Sequence, residues 1–351
     1  MHQLHLTSES PRANGLQHGE SFRQEIRELA IIRKELLARF LKNWDAQQID
    51  ETAFRTLQAL RKHPAFFEEL TAIAESSGVS PTDLCILNNY TDMRDFSGNE
   101  QARQEDGCSA FSYRNRTEAF CGQTWDMHAT ARPYVLKMRI EHPVPMDVLT
   151  VTGCLGLMGL SNKGVAVLIN NMHCRDFDAD RLMWPALVRL LLQEKTALEG
   201  FELLKKNIPC SGHNYLICDA DESFNVETTG RQWDLTGHTM GTKGLLLHTN
   251  HYLGRLDKFE ILERQSPTTH RRMEALEKYF EANEGTQLPR DQLVRDLFES
   301  GPAADAVCVG NTSADPHAGM TCGGMMVDHK RRWARAFGGL YSEKDFVDFG
   351  F

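Results

Sequence analysis

No window of this 351-residue chain supplies the roughly 18 consecutive apolar residues that a membrane-spanning helix needs, and the opening MHQLHLTSESPRANG has no apolar signal core. A disulfide framework is missing too. The nine cysteines, at 85, 108, 121, 154, 174, 210, 218, 308 and 322, are odd in number, and none sits in a CxxC pair. Reduced thiols, mostly buried as small hydrophobes, are therefore expected, with the cytoplasm as the compartment. Basic charge is in short supply, with 39 Lys+Arg against 48 Asp+Glu for a formal charge of -9. No aromatic and basic interleaving offsets that balance, which argues against nucleic acid or an anionic membrane as partner. Internal repeats and low-complexity tracts are absent. No GxGxxG opens a strand-helix unit, and neither a GxxxxGK[ST] cradle nor a GxSxG elbow occurs, which lowers dinucleotide, kinase, NTPase and α/β-hydrolase readings.

What is present is a globular composition, 41% hydrophobic, long enough for one large domain or two modest ones. The first 107 residues read as helical. From Phe22, the series Ile26, Leu29, Ala30, Ile32, Leu36, Leu37, Phe40, Leu41 and Trp44 repeats near 3.6 residues. A second helix is expected around Phe54, Leu57 and Leu60. Pro64 opens a third that Gly78 closes, and Ser80-Pro81 starts a fourth. The polar stretch DFSGNEQARQEDG reads as a flexible segment reached by solvent.

At Cys108 the texture changes. Strands are expected at 108–113, 134–140, 147–151, 165–169, 214–218, 223–227, 244–248, 321–327 and 332–337, and helices at 185–204, 268–280 and 290–297. The glycines of TGCLGLMGLSNKG suggest sharp turns or close backbone approach. Strands feeding helices and returning to strands indicate α+β or layered α/β packing, with the main compositional boundary at Gly107-Cys108.

Cys108 follows a glycine at the join of a polar segment and a strand. Such a cysteine can attack the preceding carbonyl by an N to S acyl shift, and hydrolysis then leaves it with a free α-amine of pKa about 8, a built-in general base. A half-buried strand-opening cysteine is the plainer reading. Asp126, beside Trp125 in GQTWDM, lies a hairpin's length beyond Cys108, where it could hold an α-ammonium or orient the thiol, or serve as a turn aspartate. Arg132 could pair with substrate or Asp126, or be a solvated arginine. Asn170 and Asn171 end the run GVAVLIN, and Asn250 follows another in HTNH. A carboxamide at such a strand end can donate to an oxyanion, a contact worth roughly 3 kcal/mol, or simply end a strand. Glu227 is a candidate orienting acid or a satisfied glutamate. His248 and His251 raise zinc, but their i, i+3 spacing at a strand end, without a second half-site, argues against a metal.

Together, DGCSAF, GQTWDM, GLSNKGVAVLINN, HTNHY and TCGGMMVD, in this order after a helical leader, resemble the penicillin acyltransferase-like (C45-type) amidohydrolases of the N-terminal nucleophile superfamily. The resemblance implies a four-layer αββα sandwich of α+β class, made as a zymogen that cuts itself at Gly107-Cys108. The leader would be residues 1–107 and the catalytic part 108–351, in one intertwined unit. It assigns Cys108 as nucleophile, Asp126 to the family's Asn-Trp-Asp element, Asn250 to the oxyanion hole and Asn170 to the strand-ending asparagine, with Asn171 competing by one residue. Thr124 stands where the family commonly has asparagine, and no arginine of the catalytic part is matched. His248, Trp125 and Thr124 remain candidates for orienting the site.

The expected activity is cleavage of a small-molecule amide through a thioester, with no metal or redox cofactor. The alternatives are an acyl-CoA-dependent amine N-acyltransferase and an uncut binding protein of the same fold. The amphipathic leader must stay buried after a cut, so an αβ heterodimer is expected.

Overall fold

The computed structural model describes residues 1–41, 45–96, 107–284, 286, 288–299, 307–310, 313, 315 and 317–351. The polar stretch expected to be flexible falls largely outside these residues, as does Trp44.

The leader begins with two elements that periodicity did not announce. Strand β1 (His2–Leu6) is mostly polar, and helix α1 (Pro11–Ser21) has no apolar stripe. Small residues build α1 instead. A Cβ at Gly15 would lie 2.3 Å from the Glu69 carbonyl oxygen, and one at Gly19 2.5 Å from that of Ile73, so only glycine permits so close an approach. Helices α2 (Arg23–Phe40), α3 (Ala46–Leu60), α4 (Pro64–Ser77) and α5 (Pro81–Asn88) then follow the expected stripes. Gly78 ends α4 at φ 74°, and the Ser80 hydroxyl accepts the Asp83 N–H at the start of α5. A short helix, α6 (Tyr90–Asp95), completes the described leader.

Beyond it come strands β2 (Gly107–Arg114), β3 (Ala119–His128), β4 (Val135–Ile140), β5 (Met146–Val151), β6 (Met158–Ser161) and β7 (Ala166–Asn171). The expected helix at 185–204 is two, α7 (Trp184–Leu191) and α8 (Ala197–Lys206), the second capped by the Thr196 hydroxyl. Strands β8 (His213–Cys218), β9 (Glu222–Thr228), β10 (Trp233–Met240) and β11 (Gly244–His248) precede helices α9 (Thr269–Ala282) and α10 (Arg290–Phe298). Strands β12 (Gly319–Asp328), β13 (Trp333–Gly338) and β14 (Phe346–Gly350) close the chain.

These strands form two sheets. One runs β1-β4-β5-β6-β7-β8-β9-β10 and the other β11-β2-β3-β12-β13-β14, all neighbours antiparallel except β1 with β4. The sheets stack face to face, with α7 and α8 outside the first and α9 and α10 outside the second, giving the four-layer αββα sandwich. Alternation along β2 sorts its residues between layers. Phe111 packs with Leu276 and Phe280 of α9 and with Phe298, whereas Cys108 and Ala110 turn to the core between the sheets. Across that core Ser112 meets Ser223 at 2.8 Å.

Two further contacts decide where the site lies. Strand β6 pairs with β7 only at Gly159 and Leu160, opposite Val167 and Ala166, and past Val167 the two part. There the Gln123 side chain of β3 takes the place of a strand, accepting the Ile169 N–H at 2.6 Å and donating to the Ile169 carbonyl. The leader is stitched in beside this gap. Asn88 donates to the Gly153 carbonyl and accepts the Leu155 N–H, each at 2.9 Å, and Ile26 and Leu84 pack on Gly153. His18 accepts the Gly153 N–H at 3.0 Å, and burial pushes its pKa down to about 3, so the ring is the neutral acceptor this bond needs. No helix among the described residues is long and apolar enough to cross a membrane.

Replacing Gln123 with leucine keeps the volume but strands the Ile169 N–H and carbonyl. Each such group costs about 1–3 kcal/mol, so the urea midpoint of Gln123→Leu is expected to fall clearly below that of the wild type. An unchanged midpoint would show that the staple carries no load.

Candidate active site

Register places the candidate nucleophile. In the β2-β3 hairpin Gly107 faces Asp126, Cys108 faces Trp125 and Ser109 faces Thr124. On the other side of β2 the ladder pairs His248 with Ala110, and its continuation brings Asn250 beside Cys108. The Asn250 carboxamide is a three-way junction. Its Oδ1 accepts the Cys108 N–H at 2.7 Å and the Arg272 Nη2 at 2.8 Å, and its Nδ2 donates to the Asn171 carbonyl at 3.0 Å. Its own backbone N–H donates to the Thr269 hydroxyl at 2.8 Å.

Arg272, fully buried in the first turn of α9, holds the other side of Cys108. Nη1 donates to the Cys108 carbonyl at 2.6 Å and to Ser109 Oγ at 2.9 Å, and Nε to Thr268 Oγ1 at 3.0 Å. Gly107 lies against the same guanidinium. A Cβ there would stand 2.7 Å from Arg272 Nη2 and 3.2 Å from Asp126 Oδ2, so the residue before the cysteine has no room for a side chain. Asp126 is steadied by the Thr321 hydroxyl, 2.6 Å from its Oδ1.

The cysteine opens on a narrow cavity of about 30 Å³, formed where β6 and β7 part. Gly107, Cys108, Trp125, Asp126, Asn171 and Asn250 line it from the candidate site. Met127, Leu157, Met158, Ile169 and Trp184 add apolar surface, and the leader contributes Arg33, Asn88, Tyr90 and Thr91.

The remaining sequence candidates divide by place. Asn171 lines the cavity. Asn170 instead bridges the sheets, donating to the His248 carbonyl at 3.4 Å and accepting from Asn214 at 3.2 Å. Thr124 accepts the Ser109 N–H at 3.2 Å from within the hairpin. Glu227 binds His248 Nε2 at 3.0 Å and the N–H groups of Leu253 and Gly254, which fixes the loop that presents Asn250. Neither Glu227 nor His248 lines the cavity. Arg132 sits in a turn after β3 and pairs with Glu343 at the surface, away from both substrate space and Asp126. His251 meets the Thr249 and Thr269 hydroxyls, and burial pushes its pKa down to about 3. No group of three or more potential ligands among the described residues is placed to hold a metal ion.

Sequence reasoning missed Arg272. A signal existed, because Arg272 shares the i, i+4, i+8 stripe with the buried Leu276 and Phe280, where an arginine is out of keeping with an apolar face. It also missed His213, which lines the cavity from β8 and bonds Asp92 of α6 at 2.7 Å.

Residues 114–300 match the family model described as acyl-coenzyme A:6-aminopenicillanic acid acyl-transferase. The chain is similar to the 40 kDa form of the acyl-coenzyme A:6-aminopenicillanic-acid-acyltransferase of Emericella nidulans, with 25% identity over 256 residues, 71% of this chain and 70% of that protein. Among solved structures it is similar to penicillin V acylase from Agrobacterium tumefaciens, at 16% identity and a TM-score of 0.37, covering 66% of this chain and 83% of that one.

Because Arg272 and Asn250 share one hydrogen bond and both hold Cys108, their removal should be strongly non-additive. In a double-mutant cycle of Arg272→Met and Asn250→Leu, read by urea unfolding, a coupling of about 1 kcal/mol or more is expected. Additive losses would mean that the two side chains act independently.

Proposed function

Since the chain belongs to the acyl-coenzyme A:6-aminopenicillanic acid acyl-transferase family, it is an enzyme of C–N bond hydrolysis or acyl transfer, and we propose that it works as a self-processing cysteine amidohydrolase on small N-acylated compounds. The observation that carries this reading is the grip on Cys108. Its nitrogen rests 2.7 Å from Asn250 Oδ1 and its carbonyl 2.6 Å from Arg272, while the residue opens on a narrow, largely apolar cavity.

Processing would begin with attack of Cys108 Sγ on the Gly107 carbonyl. The peptide C–N bond breaks, the nitrogen takes the thiol proton, and water hydrolyses the Gly107 thioester. The products are a leader of 107 residues and a catalytic part of 244 of the chain's 351. The new α-amine stays in the place now held by the amide nitrogen, with Asn250 Oδ1 to orient it. In turnover this amine accepts the thiol proton as sulfur attacks the substrate carbonyl, and the resulting ammonium returns the proton to the departing amine. Asn250 Nδ2, exchanging the Asn171 carbonyl for the developing oxyanion, supplies a side-chain donor at the cavity wall, and Asp126 bears on the ammonium. Water then resolves the thioester.

The two pieces would remain an αβ heterodimer, because the leader supplies five residues of the cavity wall, Gly107 among them, and is bonded to the segment between β5 and β6. A reducing, cytoplasmic setting belongs to the same proposal, in keeping with nine free thiols. A second reading, transfer of the acyl group to or from coenzyme A, is favoured by the name of the Emericella relative. An amine or thiol acceptor would then replace water in the last step.

Intact-mass analysis of the purified protein is expected to show two polypeptides that meet at Gly107-Cys108, and Cys108→Ala a single chain without amidase activity. An active wild-type chain that keeps this bond would overturn the proposal.

A further inference from the structure

We propose that Arg33, carried by the leader, receives a carboxylate of the substrate, so that the compounds processed in this cavity are anionic N-acyl compounds. The inference deepens the amidohydrolase reading and rests on it for the location of the reacting carbonyl.

Arg33 lies on the buried face of α2 between Ala30 and Leu37, only 2% exposed, and its side chain lines the cavity. One nitrogen, Nη1, donates to the Leu87 carbonyl, and the guanidinium lies over the Tyr90 ring at 5.3 Å. Its Nε is buried without a partner. Among the described residues no carboxylate pairs with it, and the groups acting most strongly on its charge are Cys154, Tyr90, Arg94 and Cys322. The Arg94 guanidinium lies over the same ring at 5.2 Å.

The other ionisable groups on the cavity wall are accounted for. Asp126 lies beside Arg272 at Gly107, and His213 is bonded to Asp92 at 2.7 Å. Among the described residues of this wall, Arg33 is thus the charge without a counterion. Taking a guanidinium out of water costs several kcal/mol unless an anion meets it, and burial duly lowers its pKa from the ordinary value. A planar fork with a spare N–H suits a carboxylate. Two more polar atoms without partners, Trp184 Nε1 and Thr91 Oγ1, belong to residues of the same wall and offer further donors. Trp125, Met158 and Ile169 leave apolar surface for the uncharged part of the molecule.

The carboxylate can sit on the amine or on the acyl side of the scissile bond, and the test separates these. N-hexanoylglycine is compared with N-hexanoylglycinamide, and N-glutarylaniline with N-hexanoylaniline, by binding calorimetry and by kcat/KM on the processed wild type, Arg33→Met and Arg33→Lys. At least one anionic probe should bind the wild type about 10- to 100-fold better than its neutral partner, the range of a hydrogen bond to a charged group. Arg33→Met should abolish that preference through KM, and Arg33→Lys should keep part of it. Equal binding of both members of both pairs by the wild type overturns the proposal, whether or not the variants fold. A full preference retained by Arg33→Met overturns it as well. Preferential binding that depends on Arg33 but leads to no turnover upholds the carboxylate receptor and sinks the amidohydrolase reading. Turnover without preference does the reverse.

Discussion

The hydrogen bonds that Arg272 and Asn250 make around Cys108 are the constraint on which the site is built. A buried guanidinium can be kept only where acceptors meet it from several sides. Here they come from three elements: the Cys108 carbonyl and Ser109 hydroxyl of β2, the Asn250 carboxamide after β11, and the Thr268 hydroxyl ahead of α9. The outer helix, the loop and the strand are thereby locked in register. Glycine at 107 is a consequence, since the guanidinium fills the space where a Cβ would stand. One knot therefore explains both the precise hold on the cysteine and the identity of the residue before it.

The cavity is a matter of strand pairing. Where β6 leaves β7, the Ile169 backbone would be left open, and Gln123 closes it from the opposite sheet. The sheets stay together while a space remains between them at the level of Cys108. Arg33, Asn88, Tyr90 and Thr91, from the helices that precede β2, also wall that space. The leader is thus part of the binding surface as well as a cover for it, and its apolar helix faces belong to the same continuous core as the sheets.

Much of this was legible in the sequence, and what was not has physical reasons. The helices with regular stripes, the strand opening at Cys108 and the order of motifs that resembled the N-terminal nucleophile family led to the layered fold. Strands β1, β10 and β14 went unseen because residues along them stay partly exposed, and so carry little apolar signal. The choice between Asn170 and Asn171 could not be made from one chain, because neighbouring residues in a strand face opposite ways and a shift of one exchanges their places. For Arg132 the sequence leaves open a partner in substrate or Asp126 and a solvated arginine. A turn after β3 then carries it to Glu343 on the surface.

The two arginines that matter most share one disguise. Arg272 and Arg33 each stand on the apolar face of an amphipathic helix, where the surrounding leucines and phenylalanines fix the reading as core. An arginine at such a position needs a compensating partner, since its stem packs well but its head does not. Arg272 finds its acceptors in the backbone of Cys108 and in Asn250. Among the described residues Arg33 has only the Leu87 carbonyl and the face of Tyr90, which stabilise a cation but do not neutralise it. The two charges therefore differ in setting: Arg272 is taken up by the backbone of Cys108 and by Asn250, whereas Arg33 lines the cavity. Arg33 stands before Gly107-Cys108 in the chain and Arg272 after it, so the two arginines come to this region from opposite sides of that peptide bond.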